Sequence, residues 1–135
     1  MRAIAALVFL GFSLPAAAPA EAQTAMSAAE FEAYVQGKTL YYSSQGSDYG
    51  AEQYLPGRRV IWTFLDGECA DGFWYQKDEL ICFIYELDLS PQCWSFWKDG
   101  GGLAARFEND PEAPELYEAR QSSEPPNCPG PGVGV

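Results

Sequence analysis

Four tryptophans, Trp62, Trp74, Trp94 and Trp97, stand among fifteen aromatic residues between Tyr41 and Phe107. Rings at that density offer a large, rigid apolar surface with a few hydrogen-bonding edges, which suits the binding of an apolar ligand or a partner. A second group is the loop Leu65-Asp-Gly-Glu-Cys-Ala-Asp-Gly72, which gathers Asp66, Glu68 and Asp71. Three carboxylates so close together are raw material for a Ca²⁺ loop or an acid–base pair, but the spacing is not that of an EF-hand and no closing Glu follows. Asp78 and Glu79 with Glu86 and Asp88 offer the same acid–base option. Ser43, Ser44 and Ser95 have no base to activate them, because the chain contains no histidine. The same lack removes His-dependent triads, His-ligated haem and mixed Cys/His zinc sites. No catalytic residue, metal ligand or cofactor is therefore assigned, and the four tryptophans are the candidate binding residues.

Those residues are carried by 135 residues, of which 47% are hydrophobic, enough for one compact domain. Residues 1–22 read as a signal peptide: Arg2, an apolar run from Ala3 to Leu14, then small residues around Pro15 and Pro19, with Ala-x-Ala sites ending at Ala20 and Ala22. The apolar run is too short for a membrane helix. Removing it takes away Arg2 and Glu21, so the net charge stays at −11. That sign excludes a nucleic-acid surface and opposes anionic membrane. The expected product is soluble, periplasmic or secreted, and not inserted in a membrane.

All four cysteines, Cys69, Cys82, Cys93 and Cys128, lie in the mature chain, and an even count in an exported protein reads as two disulfides. Ile81, Phe83 and Tyr85 alternate with Leu80, Cys82 and Ile84, and a second alternating run covers Cys93 to Lys98. Paired as a hairpin with Cys82 opposite Cys93, they place Leu80 opposite Ser95 and Ile84 opposite Pro91, leaving 85–90 as the connection. Cys69 is then left to Cys128, which ties the tail to the loop before Trp74.

The elements follow from local pattern. Ser27 and Glu30 make a capping box for a short helix over 27–36, with Phe31, Tyr34 and Val35 on one face and Gly37 as its stop. Seven strands are expected at Lys38–Ser43, Tyr49–Leu55, Arg58–Leu65, Gly72–Gln76, Glu79–Glu86, Gln92–Lys98 and Leu103–Glu108. Leu55-Pro-Gly-Arg58 suits a type II turn, Lys77-Asp78 a tight turn and Asp99-Gly-Gly-Gly102 a hairpin end. The fold class is thus mainly β: an antiparallel meander curled into a small barrel or strongly bent sheet, with one N-terminal helix. The β-domain occupies 23–110. From 111 to 135 a proline-rich tail follows, excluded as strand or long helix, with at most a helical turn at Glu115–Arg120. Trp74 is expected opposite Ile81, and Ile81 opposite Trp94, with Phe73, Cys82 and Cys93 on the other face. Two apolar faces require a cover, from the helix or the tail.

At Cys69-Ala-Asp-Gly-Phe-Trp74, Ile81-Cys-Phe-Ile-Tyr-Glu86 and Cys93-Trp94, with a late cysteine before a Gly-Val end, the chain resembles a family of small exported proteins of alphaproteobacteria. The resemblance implies export, disulfides and a β-rich fold, and supplies no catalytic residue. Gly72-Phe-Trp74 is also similar to the Gly-x-Trp opening of lipocalin and avidin barrels, though here it lies mid-chain. The resulting expectation is a disulfide-stapled, non-catalytic β-domain acting by binding, with an unknown protein or envelope component as partner. The alternatives are a carrier of a small apolar ligand in a tryptophan-lined cavity, an inhibitor presenting the loop 85–91, and an acid-dependent hydrolase using Asp66, Glu68 or Asp71.

Overall fold

A computed structural model describes residues 14–16 and 23–129. Most of the leader reading, and the last residues from Gly130, lie outside the described residues. Among the described residues no helix is long and apolar enough to cross a membrane.

One helix, α1 (Ala28–Val35), opens the domain. Its capping box is complete: Glu30 N donates to Ser27 Oγ at 3.2 Å, and Ser27 N donates to Glu30 Oε2 at 2.8 Å. Ala28, Phe31 and Val35 are buried. Gly37, at φ +79°, turns the chain out of the helix, and its N–H donates to Tyr54 O.

Eight strands follow: β1 (Thr39–Ser44), β2 (Ser47–Leu55), β3 (Arg59–Thr63), β4 (Ala70–Lys77), β5 (Leu80–Tyr85), β6 (Asp88–Asp99), β7 (Gly102–Phe107) and β8 (Leu116–Ser122). They pair antiparallel in chain order, and β8 returns to β1, so the sheet closes as a barrel without a free edge. The closing strand corrects the expectation that the segment after 110 cannot be strand. Ala104 pairs with Tyr117 and Ala105 with Leu116 on one side, while Thr39 to Ser43 pair with Ser122 to Tyr117 on the other. Glu115-Leu-Tyr-Glu-Ala-Arg120 has local helix propensity, but two open sheet edges, β1 and β7, outweigh it. Pro114 and Pro125 fall just outside the strand, where no ladder N–H is needed.

One hairpin differs from the sequence reading in register and another in the length of its connection. The β4–β5 turn is Asp78-Glu79, with Asp78 at φ +53°, so Trp74 faces Phe83 and Gln76 faces Ile81. The shift is two residues, which keeps every side chain on its expected face. In the β5–β6 hairpin Cys82 faces Cys93 and Ile81 faces Trp94. The connection, however, shrinks from 85–90 to Glu86-Leu87, because an irregularity between Phe83 and Tyr85 brings Tyr85 opposite Asp88 and extends β6. Pro91 falls in that irregular stretch.

Both expected disulfides are present, Cys82–Cys93 and Cys69–Cys128. The first lies on the outer face across β5 and β6. The second joins the loop after β3 to the chain beyond β8. Ala51 and Thr63 face outward yet are buried, as is Pro126, and the chain runs from Ser122, beside Thr39 on β1, to Cys128, bonded to Cys69 after β3. The inner face of the barrel is the core. Phe31 of α1 closes one end of it, with its ring 5.2 Å from Trp74, 5.6 Å from Tyr54 and 4.5 Å from Phe96.

Candidate ligand-binding cavity

Strand alternation sends Tyr42 of β1, Glu52 and Tyr54 of β2, Trp62 of β3, Phe83 and Tyr85 of β5, and Trp94 and Phe96 of β6 into the barrel. Between the Phe31 floor and the opposite rim they enclose a cavity of about 430 Å³. Its mouth is formed by Phe64, Asp66 and Glu68 after β3, by Leu87 between β5 and β6, and by Asp88 at the start of β6. Cys69, also on the wall, is bonded to Cys128, so the mouth loop is anchored to the outer side of the barrel.

Two glycines make room for the rings. A Cβ on Gly50 would collide with the Trp62 ring and stand 2.7 Å from the Thr63 carbonyl oxygen. One on Gly72 would collide with the Ile84 carbonyl and stand 2.7 Å from Tyr85 Cδ1. Close strand approach at these positions lets Trp62 and Tyr85 lie flat over a bare backbone. Trp62 then packs edge-on against Phe64 at 5.2 Å, with Tyr49 completing the group at 5.9 Å from Trp62. Phe83 and Tyr85 are stacked, 6.2 Å apart, and Trp94 packs on Phe107 at 4.8 Å.

The polar groups inside are few. Tyr42 and Tyr54 share a hydrogen bond at 2.8 Å between hydroxyls. Tyr85 OH donates to Glu52 Oε1 at 2.9 Å. Glu52 Oε2 has no partner, although the residue is only 2% exposed. Burial pushes the Glu52 carboxyl well above the usual carboxylate range, opposed in part by the Tyr85 hydrogen bond. Burial likewise raises Tyr42, Tyr54 and Tyr85, all of which stay neutral phenols at ordinary pH. An unpartnered carboxyl oxygen in an apolar cavity costs stability, so it marks a place where a ligand can supply the missing partner.

Of the four tryptophans expected to line a cavity, Trp62 and Trp94 do so. Trp74 and Trp97 do not. Trp74 belongs to the floor, packed between Phe31 and the Arg58 guanidinium, which lies 4.4 Å from the indole ring. Arg58 is also paired with Glu32 of α1 at 3.4 Å, so the floor is fixed to the helix. Trp97 faces outward: three positions from Trp94 on one strand, it cannot share Trp94's face. It is buried on the outer surface, with Arg106 5.5 Å from its ring.

The acidic loop is divided. Asp66 and Glu68 lie at the mouth, whereas Asp71 on β4, paired with Ile61 of β3, points outward. The trio weighed for calcium or for hydrolysis therefore does not converge. Asp66 Oδ1 instead accepts from Glu68 N at 3.0 Å, and Asp88 Oδ1 from Ser90 N at 2.9 Å; that bond holds the Asp88 carboxyl below its usual range. Sequence reasoning missed Glu52, Tyr42, Tyr54 and Tyr85. Glu52 was within reach, since it shares an inward face with Gly50 and Tyr54 in any strand covering Tyr49–Leu55. In comparisons with known proteins, the chain matches no family model, no curated protein and no solved structure.

Proposed function

We propose that this protein is a non-catalytic binding protein that carries a small, mainly apolar ligand inside its barrel, in an oxidising compartment outside the cytoplasm. The observation that carries the reading is the cavity: aromatic walls, a floor sealed by Phe31, one open end, and a few inward polar groups. A site of that size and lining suits a single small ligand, with Glu52 and the phenols fixing its orientation. Two disulfides in so short a chain support the compartment. Titrating the mature protein with apolar aromatic ligands, and following fluorescence of Trp62 and Trp94, tests the reading. Saturable quenching that disappears when Ala105, on the cavity wall, is replaced by Trp is the expected result. A second reading, contact with another protein through the rim, is favoured by Leu87 and Leu89, which are 78% and 72% exposed beside the mouth. Recovery of a partner that is lost with Leu87→Ser and Leu89→Ser, while ligand binding persists, would separate the two.

A further inference from the structure

We propose that the ligand is a hydrophobic amine, bound as its ammonium cation between aromatic faces with the charge held by Glu52. The inference rests on the carrier reading and narrows it to one chemical class. Three independent features of the cavity converge on it. First, Glu52 Oε2 is a buried carboxyl oxygen without a partner, beside an Oε1 already engaged by Tyr85. An ammonium brings several donors, so once the carboxyl has given up its proton the cation can satisfy that oxygen and add charge to the bond. Second, the cavity is lined by the rings of Trp62, Phe83, Tyr85, Trp94 and Phe96, and aromatic ring faces attract a cation and repel an anion. Third, the mouth carries three carboxylates, Asp66, Glu68 and Asp88, and the described lining holds no Lys or Arg. A fatty acid or other carboxylate would meet that field with the wrong sign, and a neutral ligand would leave it unused.

Proton balance gives the proposal a signature of its own. The titratable groups that line the cavity with Glu52 are Tyr42 from β1, Tyr49 and Tyr54 from β2, Tyr85 from β5, the carboxyls of Asp66 and Glu68 after β3, and Asp88 at β6. Trp62 from β3 and Ala105 from β7 carry no ionisable group. In the empty barrel, burial favours the neutral acid at Glu52. When the ammonium arrives, the carboxyl proton leaves to solvent, and the products are an ammonium–carboxylate pair and one free proton.

Calorimetry of the mature protein with three probes of matched size, phenylbutylamine, phenylbutanol and phenylbutyrate, tests this. Measured at pH about 5 in buffers of different ionisation enthalpy, the amine is expected to bind at least about tenfold tighter than the alcohol. It should also release up to about one proton per ligand. In Glu52→Gln the amine is expected to fall to the alcohol's affinity, and proton release to vanish. Equal binding of amine and alcohol, a preference for the acid, or binding without proton release would overturn the amine assignment while leaving a carrier. If none of the three probes binds, the carrier reading falls with it. The probe comparison and the proton count use the unaltered protein, so they stand even if the variant does not fold.

Discussion

Glu52 is the residue at which stability and the proposed binding oppose each other. Its carboxyl is held above the ordinary range in the folded barrel, while the unfolded chain keeps a value of about 4.3. Below that unfolded value the group is neutral in both states and costs nothing through its charge. As pH rises toward the folded value, the unfolded chain ionises first and stability is lost, until the folded group ionises as well. Glu52→Gln keeps an acceptor for Tyr85 and removes the titration, so it is expected to raise Tm at pH 8 relative to the parent and to gain less at pH 4. An equal gain at both pH values would mean that Glu52 is not held neutral. Gly50 makes a second demand on the same wall. Gly50→Ala places a methyl against the Trp62 ring and the Thr63 carbonyl, and the expected cost is about 1–3 kcal/mol in urea unfolding, with a shifted Trp62 emission. Unchanged stability would show that β2 and β3 can part without penalty.

Among the elements, the helix matters as a stopper more than as a helix. With only 8 residues, α1 has little stability in isolation, and its place is set by Phe31 among Trp74, Tyr54 and Phe96. Phe31→Ala is therefore expected to cost about 3–5 kcal/mol in chemical denaturation and to expose Trp74 to quenchers from the floor side. A cost below about 1 kcal/mol, with Trp74 still shielded, would show that the barrel closes without the helix. The helix was legible because its signals are local: Ser27, Glu30, the apolar face and Gly37. The first seven strands were legible for the same reason, as were Cys82 opposite Cys93 and the pairing left for Cys69. What local signals could not supply is closure. β8 is a strand because β1 and β7 have edges to fill, and nothing within Leu116–Ser122 announces those edges. The tryptophan assignment failed at a different step. Trp62 and Trp94 line the cavity, but Trp97 is excluded by alternation and Trp74 by its depth beside Phe31. Composition identified an aromatic-rich sheet, whereas the strand parity and the floor decide which rings line the cavity.

At the scale of the whole molecule, one disulfide and the net charge govern the mouth. Cys69–Cys128 spans 59 residues of sequence, so its loss is expected to cost about 4 kcal/mol on chain entropy, against about 3 kcal/mol for Cys82–Cys93, which spans 11. The single variants Cys82→Ala and Cys93→Ala should be equally destabilised and the double no worse than either, measured by urea titration; additivity would contradict a shared bond. The charge acts on approach to the cavity. At −11, with Asp66, Glu68 and Asp88 at the rim, the protein attracts cations toward the opening before any contact forms. Stopped-flow association of phenylbutylamine is therefore expected to slow as salt rises from about 10 to about 150 mM, since the screening length falls from about 30 to about 8 Å. Asp66→Asn with Glu68→Gln should reduce both the association rate and its salt dependence, while leaving dissociation close to the parent's, because neither side chain holds the ammonium in the bound state. A faster dissociation at unchanged association would move the cation from Glu52 to the rim. The cavity would then be reading an apolar tail alone, with the charge recognised outside it.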